Sequence, residues 1–134
     1  MLDFETMVAE AHRKISIDAQ LHAQAKAVSA EVEHLLTPID ELCRQAGTQF
    51  RVSAARNHVY ASIGLGRGAR INLRLELYPT HSIARLDDGP LRSLAHYDSD
   101  AELAEVFLDG FRDKIAYAVR KLVARIAQHR RSGA

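Results

Sequence analysis

The first 37 residues contain no glycine and no proline, and their apolar residues recur at helical spacing. Between residues 21 and 46 the apolar positions are separated alternately by four and three residues. This is the heptad spacing of a helix that packs along one seam. The pattern predicts a long N-terminal helix over residues 2–46. The seam consists of Leu21, Ala25, Val28, Val32, Leu35, Ile39, Leu42 and Ala46.

The length of this helix limits how well one chain can cover it. A helix of about 36 residues would span about 54 Å, whereas a compact domain of this size is only about 36 Å across. The helix should therefore extend beyond its own domain and expose part of its apolar face. We expect that face to meet a second copy of the chain. The predicted dimer contacts are Leu21, Ala25, Val28 and Val32.

Two places along this helix are open to more than one interpretation. An apolar face that starts at Phe4 slips in phase near Asp18, which predicts a local change in helix winding. The pair Thr37-Pro38 is compatible with a kink in one helix, or with a new helix capped by Thr37. Gly47 follows the last apolar position, as expected of a residue that ends a helix.

Residues 48–97 show the two-residue periodicity of β-strands. In residues 70–78 apolar and polar residues alternate strictly, which is typical of a sheet with one buried face. Pro79 ends this strand. Short connections such as Asn57-His58 and the glycine-rich run after residue 63 separate four or five strands. Consecutive strands with short connections predict an antiparallel meander.

A second apolar stripe predicts a C-terminal helix over residues 100–129. Ser99 and Glu102 have the spacing of a capping box at its start. A chain of 134 residues can build one domain with a sizeable core. The order of elements predicts a single α+β domain over residues 1–134, with both helices on one face of the sheet.

The composition indicates a soluble globular protein. Hydrophobic residues make up 47% and charged residues 26%, and the net charge is +1. The N-terminus lacks the apolar run of a signal peptide, and no window approaches the roughly 18 apolar residues of a membrane span. We therefore expect a cytoplasmic protein that makes no contact with a membrane. Cys43 is the single cysteine and is expected to be a small buried hydrophobic residue.

No pattern in the sequence predicts a catalytic, cofactor or metal site. The seven histidines are scattered and do not form the clusters typical of zinc sites. The run from Gly64 to Gly68 is followed by a strand, whereas a phosphate-binding motif is followed by a helix. We interpret this run as a hairpin connection, and we expect no cofactor, no metal and no enzymatic activity.

Basic and aromatic residues alternate along the predicted outer face of the sheet. Such a face can hold single-stranded nucleic acid by charge and base stacking. A solvated face, or one covered by a second subunit, carries the same residue types. Arginines of the glycine-rich connection and of the C-terminus add positive charge that could contact phosphate. The candidate contacts to nucleic acid or to a protein partner are Arg51, Tyr60, Arg67, Arg70, Arg74 and Tyr78.

Three functions follow from these observations. We prefer a small non-enzymatic binding or interaction protein that acts as a homodimer and holds a further partner. The second hypothesis is a nucleic-acid-binding protein that uses the outer sheet face and the C-terminal arginines. The third is a small-ligand-binding protein or enzyme with a pocket between the helices and the sheet.

Overall fold

A computed structural model describes residues 3–86, 89–94 and 99–132, with the backbone alone for residues 89–94 and 132. The described part of the chain forms four helices and five strands. The predicted end of the sheet at residues 95–97 lies outside the described residues. In chain order the elements are α1 (Phe4–Leu35), α2 (Thr37–Gln45), β1 (Phe50–Ala55), β2 (His58–Gly66), β3 (Ala69–Leu77), β4 (Ser82–Leu86), β5 (Gly89–Leu94), α3 (Asp100–Gly110) and α4 (Arg112–Ser132).

The strands form one sheet in the order β1-β2-β3-β4-β5, and every neighbouring pair is antiparallel. The predicted α+β fold with an antiparallel meander is therefore confirmed. The turn between β1 and β2 consists of Arg56 and Asn57, one residue earlier than predicted. His58 already belongs to β2, where it pairs with Ala55.

The long N-terminal helix is continuous through Asp18 and ends at Leu35. It begins after Asp3, whose carboxylate accepts hydrogen bonds from the backbone amides of Glu5 and Thr6. This contact supplies partners for two amides that the helix itself cannot satisfy. The phase slip near Asp18 therefore does not interrupt the backbone of the helix.

The break at the Thr37-Pro38 pair produces a separate short helix. Leu36 occupies the cap position between the two helices, and Pro38 lies in the first turn of α2. The prediction that Thr37 caps the second helix was wrong. The hydroxyl of Thr37 instead donates to the carbonyl oxygens of Glu33 and His34, so it binds the end of α1.

The prediction of one unbroken helix over residues 100–129 was also wrong. Helix α3 ends at Gly110, and Phe111 separates it from α4. Glycine has the lowest helix propensity after proline, which favours a break at this point. The predicted start is confirmed, because the Ser99 hydroxyl accepts a hydrogen bond from the backbone amide of Glu102 at 3.4 Å.

The core lies between the helices and one face of the sheet. Helices α1, α2 and α4 contact β2 on the face formed by its buried alternate residues. Helix α3 contacts α1 and the backbone of β5. Phe107 and Phe111 meet edge to face in this core, with ring centroids 4.9 Å apart. Among the described side chains of β1 to β4, the buried ones are Val59, Ala61, Ile63, Ile71, Leu73, Leu75, Leu77, Ser82 and Ala84 on this face and Glu76 on the other.

The predicted dimer seam is part of this core. Ala25, Val28 and Val32 have no exposed surface, because α1 is covered by α3 and by β1 and β2. Leu21 is half-buried and packs against the same cluster. Ala25, Val28 and Val32 therefore have no surface left for the predicted contact with a second copy, whereas for the half-buried Leu21 that contact stays a prediction. Because the chain breaks after Gly110, α3 can lie against α1. Helix α3 of the same chain thus covers the apolar seam of α1.

Candidate functional site

The first half of α1 lies outside the folded body. We call residues 4–20 the N-terminal arm. All of its residues are exposed except Ile17, which is half-buried. The arm is about 25 Å long at 1.5 Å per residue. Its large exposed apolar residues are Phe4 (76%), Ile15 (65%), Met7 (49%) and Val8 (36%).

The apolar residues of the arm form a stripe that does not continue the core seam. Phe4, Val8, Ala11 and Ile15 lie on one side of the helix at steps of four and three. At 100° per residue, this stripe is rotated by about 100° from the buried residues of the second half of α1. The phase slip predicted from the sequence thus separates an apolar face that the chain covers from one that it leaves exposed.

The outer face of the sheet is organised around Glu76. This side chain is only 8% exposed, and its Oε1 lies 2.9 Å from Arg85 Nε and 3.3 Å from Arg74 Nη2. The hydroxyl of Tyr78 donates to Oε2 at 3.1 Å, and His58 Nε2 lies 4.0 Å from Oε1. The alternation of β3 already places Arg74 and Tyr78 on the same face as Glu76, but only the fold brings His58 of β2 and Arg85 of β4 beside it.

The contacts of Glu76 determine its charge state. Burial by itself would raise the pKa of the carboxyl group, but the contacts with Arg85 and Tyr78 and the positive charges of Arg85 and Arg74 hold that pKa below its ordinary value. For Tyr78, burial and the hydrogen bond to the carboxylate raise the pKa of the hydroxyl. Glu76 is therefore ionised at neutral pH and neutralises part of the positive charge expected on this face.

Replacing Glu76 by glutamine tests this network. We expect the variant to lose about 1–3 kcal/mol of unfolding free energy at pH 7, because contacts to charged donors weaken. The folded-state pKa of Glu76 lies below the ordinary value of 4.5. Its contribution is therefore present above that value and is lost as the pH falls through the folded-state pKa. Urea unfolding at pH 7 and pH 3 should show a smaller difference between wild type and variant in acid, and an equal difference at both would contradict the assignment.

The six candidate contact residues do not form one surface. Arg51, Tyr60, Arg70 and Arg74 lie on the outer face of β1, β2 and β3, and Tyr78 follows β3. Tyr60 and Arg74 border a groove of about 260 Å³ on that face, but Arg74 and Tyr78 are already bound to Glu76. Arg67 lies in the β2–β3 turn, where it lines a groove together with residues of α2 and α4.

The single cysteine lies inside the core. Cys43 is fully buried, and burial raises the pKa of its thiol, with the charge of Asp40 adding to this effect and the Thr48 contact opposing it. The thiol is therefore protonated and has no access to solvent. Within residues 3–86 and 99–131, no group of three histidine, cysteine or acidic side chains is arranged to hold a metal ion. Of the helices in the described part of the chain, none combines the length and apolarity needed to cross a bilayer.

Comparison with known proteins finds no match for this chain among protein-family models, curated proteins or solved structures.

Proposed function

We propose that this chain is a non-enzymatic interaction protein that acts as a homodimer joined through its N-terminal arms. The observation that carries this proposal is the exposed apolar stripe of Phe4, Val8, Ala11 and Ile15 on a helix that its own body does not cover. An isolated helix of this length is marginal in water unless its apolar face is packed. A contiguous exposed apolar surface is typical of an interaction site.

The spacing of the stripe supports a second copy as its partner. The steps of four, three and four between the apolar residues read the same in both directions. Antiparallel pairing about the point between residues 9 and 10 places Phe4 opposite Ile15 of the second copy, and Val8 opposite Ala11. These are the alternating layers of an antiparallel coiled coil.

The residues that flank the stripe support the same arrangement. In the antiparallel pair Glu5 lies beside His12 of the second copy, and the aliphatic part of Lys14 can cover Met7. Symmetry repeats both contacts. A parallel pair would instead place Met7 beside His12 and Lys14 beside Ala19, so no acidic side chain would lie beside a basic one.

The folded bodies also favour the antiparallel arrangement. Each body is about 36 Å across if compact, whereas packed helix axes are about 8–10 Å apart. Parallel arms would bring both bodies to the same end, where they would compete for space. Antiparallel arms place them at opposite ends. The dimer then leaves both outer sheet faces free for a further partner. We place this dimer in the cytoplasm, as expected from the sequence.

Analytical ultracentrifugation of the full chain tests this proposal. The seam has four apolar layers, which is short for a stable interface, so we expect a dissociation constant in the micromolar range. Sedimentation equilibrium from 1 to 200 μM should show a reversible monomer–dimer exchange. A single monomeric species throughout this range would refute the proposal.

A further inference from the structure

The β2–β3 turn, the end of α2 and the last turns of α4 meet at one end of the sheet. Two adjoining grooves of about 500 and 340 Å³ lie here and share three lining residues, Arg67, Arg125 and Gln128. We call this region the basic cleft. None of its described lining residues is acidic. Its basic residues are Arg44, Arg67, Lys121, Arg125 and His129.

Arg125 is held in place at the centre of the cleft. Its Nε donates a 2.8 Å hydrogen bond to the carbonyl oxygen of Ala46, the residue that caps α2. Its guanidinium group also lies directly over Gly66, where a Cβ atom would overlap it. No carboxylate among the described residues lies within 4.0 Å of this guanidinium. The two terminal nitrogens of Arg125 therefore remain available as oriented, charged donors.

Arg67 occupies an unfavourable backbone conformation beside Arg125. Arg67 and Gly68 are the two residues of the β2–β3 turn, with φ of 54° and 79°. Such turns favour asparagine or glycine, and positive φ costs other residues about 1–2 kcal/mol. The position nevertheless places the Arg67 side chain on both grooves.

The positive charge of the cleft is only partly compensated by neighbouring carboxylates and helix ends. Arg44 is compensated by Asp40 and Glu41, at 3.6 and 2.9 Å. The ends of α2 and α4 contribute roughly half a negative charge each. Three full positive charges oppose them, on Arg67, Lys121 and Arg125. With the second carboxylate beside Arg44 also counted, an excess of about one positive charge remains.

An aromatic side chain borders the same surface. Tyr117 is 43% exposed and lines the smaller groove, with Lys121 Nζ 5.4 Å from its ring centroid. Charged donors beside an exposed aromatic ring are the combination with which proteins hold nucleotides and single strands. Because guanidinium groups match the geometry of phosphate oxygens, phosphate is the anion that fits the cleft best.

We propose that the basic cleft binds the phosphate groups of a nucleotide or a single-stranded nucleic acid. The two adjoining grooves suit a ligand with more than one phosphate. No arm residue lines the cleft, so this site is independent of the proposed dimer. It also differs from the outer sheet face, where Glu76 compensates Arg74 and Arg85.

The turn arginines provide a matched pair of variants. Arg67→Gly removes one charge from the cleft and relieves the positive φ. Arg56→Gly makes the same change in charge and backbone at the β1–β2 turn, where Arg56 has φ of 53° at the opposite end of the sheet. Both variants should keep the wild-type fold, which circular dichroism and thermal unfolding will check. Lys121→Gln is a second cleft variant, at an exposed helical position.

Binding is measured by fluorescence anisotropy with a labelled single-stranded oligonucleotide, and by calorimetry with pyrophosphate. We expect wild-type binding that weakens with salt. Arg67→Gly should weaken it about 5- to 20-fold, Lys121→Gln should weaken it in the same direction, and Arg56→Gly should stay within twofold of wild type. Binding of both ligands indicates a nucleic-acid site, and binding of pyrophosphate alone indicates a free phosphate compound.

Two results would overturn the proposal. One is the absence of binding by either ligand at low salt. The other is equal weakening by Arg67→Gly and Arg56→Gly, which would show that only the overall charge matters. The double variant Val8→Glu/Ile15→Glu, in which the dimer should be lost, separates this site from the proposed dimer, because its cleft should bind as the wild type does.

Discussion

Replacing Phe107 by alanine is expected to lower the free energy of unfolding by about 3–5 kcal/mol. Phe107 has no exposed surface, and its ring lies edge to face against Phe111 at 4.9 Å. Truncation removes this contact and leaves a cavity between α3 and the rest of the core. Urea unfolding monitored by circular dichroism gives the difference directly.

The control for Phe107→Ala is Val123→Ala in α4, because Val123 is 51% exposed. This variant should change the free energy of unfolding by less than about 0.5 kcal/mol. A loss below about 1 kcal/mol for Phe107→Ala would mean that α3 does not pack as described. The burial of Ala25, Val28 and Val32 beneath it would then be in question as well.

Introducing glutamate at Val8 and Ile15 is expected to raise the dissociation constant of the dimer at least about 100-fold. Both side chains are exposed in the single chain and belong to the apolar stripe. In the antiparallel pair both side chains of each copy are buried in the seam. The double variant therefore places four carboxylates there without compensation. Sedimentation equilibrium measures the change in dissociation constant.

The matched control for this double variant is Ala9→Glu with Gln20→Glu. It adds the same charge at two exposed positions on the opposite side of the arm. We expect its dissociation constant to stay within about threefold of wild type, because these side chains face solvent in the pair. Both double variants should unfold at the wild-type temperature when compared as monomers. Equal loss of dimer in the two variants would show that charge repulsion, and not the stripe, controls association.

The elements predicted best from the sequence are those whose secondary structure follows from a local pattern of residues. Strand β3 alternates strictly because one of its faces meets the helices, so burial is already encoded in the period of two. The long helix was predictable from the absence of glycine and proline. Its extension beyond the body followed from length alone, although three of the four residues expected to contact a second copy are buried in the chain's own core.

The features that were missed depend on contacts between distant residues. A single glycine such as Gly110 does not by itself predict that the helix ends there. This break between α3 and α4 is what allows α3 to lie against α1. Glu76 meets His58 and Arg85 only because β2 and β4 lie beside β3. Arg125 and Ala46 lie 79 residues apart and still form a hydrogen bond. Arg67 was a candidate from its turn, but only the fold shows which basic residues surround it.

A distance between nitroxide labels on Cys substituted for Gln20 tests the antiparallel arms most directly. Gln20 is exposed near the junction of arm and body, and the native Cys43 is too buried to react. In the antiparallel pair the two copies of residue 20 are offset by about 32 Å along the helix axis. Electron–electron double resonance should therefore give a distance of about 35–45 Å. A distance below about 25 Å, as in a parallel pair, or no dipolar coupling at concentrations well above the dissociation constant, would contradict the arrangement.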